Sequence, residues 1–431
     1  MMTSHTGEIE LRRSLDGLEM TVIRQRWEQP NITDVSSKVR RELERLEALD
    51  GIQGGDEIAI TAGSRGIASM PEVLRSIVAA VRERGGKPFI FPAMGSHGGG
   101  TAQGQKALLA GLGITEETIG APVRATMEVV RIGEIEEGVP VYLDAFAAQA
   151  AGIIVVNRIK KHTDYDGPLE SGLCKMAVIG MGKHKEASAV HQYGTYGLRH
   201  YIPKIAQVTF SKAPVLAGLA IIENAWGGVA DLVGLHPDEI VAREPRLLMR
   251  AKDLCAKIPF HDIDIALVER MGKDISGTGM DCYVIGRKRI IGEPEWPEAP
   301  QISSLVVLDL TEASHGNGLG VGLADFTTQR LVDKLDWKAM RTNVMTSGYI
   351  ERTKLPLVYE SAQAALEAAA FRERRTPLDA LRMVCFRDTL RLRHLLISPA
   401  LASQAKGRED LVVEGSVPLR FDEQGGWISP F

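Results

Sequence analysis

The chain has 431 residues, of which 44% are hydrophobic and 25% charged, and its formal net charge is −4. This length predicts two domains with separate cores. The acidic balance argues against a nucleic-acid partner, which would need a strongly basic face. The sequence contains no run of about 18 apolar residues, so no membrane partner is expected either.

The start of the chain and its cysteines indicate a cytoplasmic location. Residues 1–13 lack the charged and then apolar pattern of a signal peptide. The four cysteines are scattered and form no C-x-x-C pair, which fits a reducing compartment. A disulfide framework or a zinc knuckle is therefore not expected.

The first half of the chain repeats the order strand, glycine-rich turn, helix. Strands are predicted within 7–27 and at 58–61, 88–91 and 152–156, and helices at 34–49, 101–112 and 185–192. A further helix is expected to begin at Ser69, which would act as N-cap in a capping box with Glu72. Repeated strand–turn–helix units predict a parallel sheet.

The second half predicts a second α/β unit. A strand at 215–222 and a helix at 237–258 precede apolar strands at 263–268 and 305–310, and helices are expected to dominate from residue 327, one of them beginning at Thr376-Pro377. The predicted fold class is α/β, with two α/β domains, mainly parallel sheets and an active-site cleft between them. The predicted boundaries are an N-terminal domain over 1–260, a C-terminal domain over 261–405 and a tail over 406–431.

The stretch 157–191 holds the strongest candidates for chemistry. It follows the strand at 152–156, and open α/β sheets bind ligands at the carboxyl ends of their strands. It contains His162, Lys175 and His191. Lys175 lies in an apolar run, so its stem covers apolar surface with the amine in water, or the amine is desolvated and reactive. Glycines at 180 and 182 are expected to break any continuous helix and let Lys175 and His191 converge.

Two other turns contribute candidates. His97 lies in the glycine-rich loop 95–100, where glycines allow a ligand to approach the backbone closely. Ser64 and Arg65 follow a strand and could hold a phosphate or carboxylate, although an ordinary surface arginine fits the same pattern. His162 could equally be a solvated loop histidine. The loop at 95–101 lacks the lysine of a phosphate-binding loop, because Thr101 follows Gly100.

At these residues the chain resembles the lactate racemase family of nickel-dependent 2-hydroxyacid racemases and epimerases, in a subgroup that is not lactate-specific. Gly95-Ser96-His97 matches the family's Gly-Thr-His after a strand. His162 matches a histidine that follows a later strand. Lys175 and His191 match a lysine and a histidine sixteen residues beyond it. The resemblance covers most of residues 55–325.

The match has two clear departures. Ala62 stands where the family has the aspartate of Asp-His-x-Arg, so that only Arg65 survives from that motif. The family's residues for the substrate carboxylate do not align cleanly with the second domain. These departures are compatible with a substrate larger than lactate, such as a sugar acid.

The resemblance implies an isomerase that moves a hydride to and from a nickel-pincer nucleotide (a pyridinium-3,5-bisthiocarboxylic acid mononucleotide that carries nickel). It implies His97 and His162 as the acid/base pair, Lys175 as the covalent tether, His191 as the nickel ligand, and Ser64 and Arg65 as holders of the cofactor's phosphate. The implied partners are a small-molecule 2-hydroxyacid, the cofactor-synthesis enzymes transiently, and a second copy in a homodimer. Two alternatives stay open: a metal-dependent hydrolase or lyase that uses the histidines, and a non-catalytic binding homologue.

Overall fold

The computed structural model describes residues 11–15, 17–27 and 29–431, apart from the side chain of residue 346. Its strands are β1 (Glu19–Gln25), β2 (Glu57–Ala62), β3 (Lys87–Pro92), β4 (Val129–Glu134), β5 (Pro140–Asp144), β6 (Gly152–Arg158), β7 (Val215–Glu223), β8 (Val229–Leu235), β9 (Asp262–Val268), β10 (Gln301–Val307), β11 (Phe326–Thr328), β12 (Leu357–Tyr359), β13 (Met383–Phe386), β14 (His394–Ile397) and β15 (Leu411–Pro418). Its α-helices are α1 (Val35–Arg45), α2 (Met70–Glu83), α3 (Ala102–Gly111), α4 (Glu116–Ile119), α5 (Ala145–Gln149), α6 (Leu173–Lys175), α7 (Lys183–His191), α8 (Gly194–Lys212), α9 (Ile240–Leu254), α10 (Gln329–Val332), α11 (Trp337–Ser347), α12 (Ala362–Arg372) and α13 (Pro399–Ala405). The part of the predicted first strand at 7–10 lies outside the described residues.

The described residues divide into two compact units, and the mixture of helices with largely parallel sheets makes the fold α/β. One unit is Gln29–Cys255, and the other joins the described residues before 28 to Ala256–Phe431. The predicted first boundary, after residue 260, lies close to this division. No helix within the described ranges is long and apolar enough to cross a membrane.

The unit Gln29–Cys255 contains a sheet with the order β3-β2-β6-β7-β8. Its neighbouring strands are parallel except β7 and β8, which are antiparallel. Successive residues of β2 and β6 point to opposite faces: Ile58 and Ile60 enter one core, and Ala59 enters the other. Because both faces are buried, the strands read as continuous apolar runs, which is why the sequence predicts them well.

The start of α2 differs from the prediction. Ser69 adopts a left-handed conformation (φ 53°) and its side chain makes no capping hydrogen bond. The N–H of Ala68 is instead satisfied by the Glu223 carboxylate at the end of β7, at 2.8 Å. A partner distant in sequence therefore replaces the predicted capping box.

The second unit contains a sheet with the order β12-β11-β10-β9-β13-β14-β1-β15, parallel from β12 to β13 and antiparallel from there to β15. Two predicted boundaries are wrong here. The strand β1 was predicted in the N-terminal domain but belongs to this sheet, and residues 411–418 of the predicted tail form the edge strand beside β1.

The region after residue 327 has more residues in α-helices than in strands, but it also contains four strands that were not predicted: β12, β13, β14 and β15. The helix predicted to begin at Thr376-Pro377 is wrong, because these residues lead only to a short 3-10 turn, Leu378–Ala380. The strands β13 and β14 are four residues each and almost wholly buried. Runs this short carry no periodicity by which a sequence can distinguish a strand from a helix.

Candidate active site

The candidate site lies at the carboxyl edge of the sheet in Gln29–Cys255. The strands β2, β3 and β6 end there, and their loops meet a helical segment made of α6 and one π-helical turn, Met176–Gly180. Gly95 is left-handed (φ 59°), and a Cβ on it would lie 3.1 Å from Ile179 Cγ2. A Cβ on Gly180 would lie 2.9 Å from the Ala93 carbonyl oxygen. The loop that follows β3 therefore packs directly on the segment that carries Lys175.

His162 is held by the loop that links β6 to α6. Lys160 and Ser171 close this loop with paired backbone hydrogen bonds of 2.8 and 3.2 Å. The buried Glu170 carboxylate accepts the backbone N–H of His162 at 2.6 Å. The ring of His162 lies 4.5 Å, centroid to centroid, from that of the fully buried Tyr165. Backbone and ring are thus both fixed by buried neighbours.

The Lys175 amine forms a hydrogen bond with His162 Nε2. The backbone N–H of Asp164 donates to His162 Nδ1 at 3.1 Å, so Nδ1 carries a lone pair and Nε2 carries the proton of a neutral imidazole. The Nε2–H can then donate only to an unprotonated amine. Burial acts in the same direction, because it lowers the pKa of Lys175 to about 8.

Two more candidates interact electrostatically with the same amine. The positive charge of Arg65 adds to burial in lowering the pKa of Lys175, whereas Asp164 opposes it. Desolvation and the charge of Lys175 lower the pKa of His191, which favours the neutral ring that binds metals. The structure thus brings together His162, Lys175, Arg65 and His191. Ser64 stands next to Arg65, half-buried, in the turn after β2.

His97 reaches this edge through its loop. Gln105, a buried residue of α3, donates its side-chain N–H groups to the carbonyl oxygens of Gly95 at 2.8 Å and His97 at 3.3 Å. The Gln105 carbonyl oxygen accepts from the Lys183 amine at 3.1 Å, and Lys183 forms an ion pair with Asp144 at 3.1 Å. The His97 side chain is exposed at the end of this buried chain of polar groups.

The helix break expected near Gly180 and Gly182 occurs at Lys183. Lys183 begins α7 in a left-handed conformation (φ 57°) although its side chain is fully buried. The same helix α7 ends at His191. It therefore connects Lys183, whose amine donates to Gln105 beneath the His97 loop, with His191.

Sequence reasoning missed Lys183, Gln105 and Glu244. Glu244 of α9 is buried, and its carboxylate accepts the backbone N–H of Cys174 at 2.9 Å, which caps the segment carrying Lys175. A Cβ on Gly172 would lie 2.1 Å from this carboxylate, so a larger residue there would displace the Glu244 side chain. These three residues belong to helices that show no local motif, so the sequence around them gives no signal of their role.

Within the described ranges, no group of three or more His, Cys, Asp or Glu side chains could hold a metal ion. A metal at His191 would therefore need ligands from another source than a cluster of these side chains. This arrangement differs from a simple divalent-ion site of the hydrolase type, which takes three protein ligands.

Comparison with known proteins finds no matching family and no match among curated proteins. Among solved structures, the chain is similar to a Thermotoga maritima protein from a structural genomics programme, with 13% identity and a TM-score of 0.47 over 63% of this chain and 70% of that one. It is also similar to the lactate racemase apoprotein of Thermoanaerobacterium thermosaccharolyticum, with 15% identity and a TM-score of 0.44 over 78% of this chain and 83% of that one.

Proposed function

We propose that this chain is a racemase or epimerase of a 2-hydroxyacid that uses a nickel-pincer nucleotide tethered to Lys175. The observation that carries the proposal is the contact of the Lys175 amine with His162 Nε2. The charge of Arg65 acts on this amine, and the charge of the amine acts on His191. A nucleophilic amine, an acid/base group, a cation and a neutral imidazole are the groups that such a cofactor and substrate require.

The residues present fit the cofactor. Lys175 supplies an amine whose pKa is lowered to about 8, and its neutral form can react to give a thioamide. His191 would supply one neutral nitrogen ligand to the nickel, and the pincer would supply the others, so that no cluster of metal-binding side chains would be needed. Arg65 and Ser64 supply a cation and a hydroxyl for the phosphate. The aspartate missing at Ala62 removes one contact but none of these groups.

The bound cofactor would supply a hydride acceptor, which a 2-hydroxyacid needs because its α-proton is too weakly acidic for a histidine alone. The chain's own part is to move the hydroxyl proton and to orient the acid. His162 Nε2 faces Lys175, so this atom would exchange a proton with a hydroxyl bound above it. His97 would serve as the second base, because inversion at carbon requires proton transfer to substrates bound through either face.

The first test is the intact mass of the protein after co-production with the cofactor-making enzymes. We expect a covalent adduct whose peptide contains Lys175, and its loss in Lys175→Arg. Lys185→Arg is the matched control, because Lys185 is an exposed lysine on α7. A protein that never gains this mass, or that gains it equally in Lys175→Arg, would contradict the proposed tether.

The second test is racemisation of a panel of 2-hydroxyacids in D₂O by the protein that carries the adduct. Hydride transfer predicts inversion with the α-hydrogen retained, whereas proton abstraction would introduce deuterium at that carbon. His97→Ala and His162→Ala should each lower the rate by roughly 100-fold or more, the usual contribution of a general acid or base. Solvent deuterium at the α-carbon would rule out the hydride mechanism.

A further inference from the structure

We propose that Lys175, in the chain that carries nothing on this amine, condenses with the carbonyl group of a 2-oxo acid to form a Schiff base. The inference concerns an activity of the cofactor-free protein. It rests on the proposed function only in taking the oxidised counterpart of that substrate class. The nucleophile, the proton carrier and the cation it needs are all defined by the geometry of the site.

Lys175 is the nucleophile because its amine is accessible and is neutral far more often than that of an ordinary lysine. Its nitrogen accepts a hydrogen bond from His162 Nε2–H, and the residue is half-buried rather than sealed. A pKa lowered to about 8 gives roughly 300-fold more neutral amine near pH 7 than an ordinary lysine has. Schiff-base lysines are activated in this way, by desolvation and by a neighbouring cation.

Neighbouring lysines are in a different state. Lys161 forms an ion pair with Asp166 at 3.0 Å, and Lys252 with Glu170 at 2.6 Å. A carboxylate partner favours the ammonium form, which is not a nucleophile. Lys183 is fully buried against Asp144 and cannot be reached from solvent. The reaction should therefore be confined to Lys175.

Arg65 supplies the preference for an acid. Its positive charge is felt by the Lys175 amine, and its side chain is exposed. A carboxylate placed on Arg65 would set the adjacent 2-oxo carbon toward the amine, as an arginine commonly does with carboxylate ligands. A simple aldehyde would lack this second contact.

The condensation is balanced without an oxidant or another reactant. The amine lone pair forms a C–N bond as the carbonyl π bond opens, giving a carbinolamine. The C–O bond then breaks as nitrogen forms the C=N bond. The two amine protons leave with the carbonyl oxygen as water, and His162 is placed to relay them.

The experiment treats the purified full-length chain, made without the cofactor-synthesis enzymes, with pyruvate and sodium cyanoborohydride. The borohydride reduces the imine to a stable secondary amine. We expect one adduct per chain, heavier than the protein by the mass of the acid less one oxygen atom, and a peptide map that places it at Lys175. Methyl pyruvate, which keeps the 2-oxo group but lacks the carboxylate charge, should label Lys175 more slowly by about tenfold.

Three variants sharpen the result. Lys175→Arg should abolish the adduct, and Lys185→Arg should retain it. His162→Asn should slow labelling by about tenfold or more, because the proton relay is lost. Labelling spread over several lysines, retained in Lys175→Arg or absent from the wild type would overturn the inference. The peptide map of the wild type decides the site even if a variant folds poorly.

The labelling experiment tests the Schiff base independently of the proposed cofactor tether. Labelling by pyruvate without a mass adduct after co-production would leave the Schiff base standing and remove the cofactor tether. A cofactor adduct at Lys175 without labelling by pyruvate would do the reverse.

Discussion

Four effects determine the pKa of the Lys175 amine: its burial and the charges of three neighbouring side chains. Burial and the charge of Arg65 lower its pKa, and the charges of Asp164 and Glu170 raise it. Since burial is the largest of these, the pKa of the amine stays lowered, at about 8, even with two carboxylates nearby. A lysine with this balance is suited to nucleophilic chemistry rather than to an ion pair.

Opposite charges near this amine should move its titration in opposite directions. Asp164→Asn removes a negative charge and should lower the pKa of Lys175 further, while keeping the backbone N–H that donates to His162. Arg65→Gln removes a positive charge and should raise the pKa. We expect shifts of about half a unit to one unit in each direction.

The measurement is the rate at which Lys175 is acylated in the folded protein as a function of pH. Mass spectrometry of the peptide that contains Lys175 monitors this rate. Asp166→Asn is the matched control in the same loop, because the Asp166 carboxylate pairs with Lys161 at 3.0 Å. It should leave the midpoint nearly unchanged. If both test variants moved the midpoint the same way, the electrostatic account of this site would fail.

At the scale of elements, α6 and its π-helical turn depend on a carboxylate from α9. Glu244→Ala would leave the buried backbone N–H of Cys174 without its acceptor. A buried donor without an acceptor costs about 1–3 kcal/mol. The free energy of unfolding of the variant, measured by urea denaturation, should therefore be lower than that of the wild type by this amount. Asp253→Ala changes an exposed carboxylate of the same helix and should stay within about 0.5 kcal/mol of the wild type.

The His97 loop depends on the side chain of Gln105. Gln105→Ala removes the donors to the carbonyl oxygens of Gly95 and His97. Amide hydrogen exchange of residues 95–100 should then speed up by about tenfold, because local opening becomes less costly. Gln103→Ala is a close control, since Gln103 is an exposed glutamine of the same helix. Unchanged exchange in Gln105→Ala would show that Gly95 packing alone holds the loop.

Elements buried on both faces were the most predictable from sequence. The strands β2, β3 and β6 appear as apolar runs, the first two of which end in glycine-rich turns, and the structure has all three within one or two residues of the prediction. The start of α2 was not predictable, because Glu223 from β7 satisfies the backbone there. The short strands β13 and β14 were missed since four buried residues fit either type of element.

At the scale of the whole chain, the sequence could name the candidate residues of the site but not the residues that support them. His162, Lys175, Arg65 and His191 stand out because glycines, strand ends and an apolar run surround them. Lys183 and Glu244 do not, because each acts on residues that are remote in sequence and neither lies in a motif. The joining of β1 and β15 into one sheet is equally invisible, since strand pairing between the two chain ends has no local signature.

Buried acids in Gln29–Cys255 make the stability of the chain depend on pH. Glu186 of α7 is fully buried, and burial raises its pKa to about 8. One carboxylate oxygen accepts the Tyr142 N–H at 2.6 Å, and in the described part of the chain the other has no hydrogen-bond partner. The folded protein therefore holds this carboxyl protonated over a pH range in which the unfolded chain ionises it.

The sign of the effect follows from which state loses its proton first. An unfolded glutamate ionises near its ordinary pKa of 4.5 and the folded one only at about 8, so stability is lost as pH rises between these values. Glu186→Gln stays neutral and can still accept the Tyr142 N–H, so it should escape this loss. Thermal unfolding at pH 5 and pH 8 gives the free energy of unfolding of the variant and of the wild type, and the difference should grow with pH in favour of the variant. We expect it to reach about 2 kcal/mol. This is below the ~5 kcal/mol ceiling that the pKa shift sets, because water attracted to the ionised carboxylate makes its ionisation less costly. Glu128→Gln, an exposed counterpart, should show no such growth. A gap that stayed constant with pH would mean that Glu186 is ionised in the folded protein, and the unpartnered oxygen would then need a different explanation.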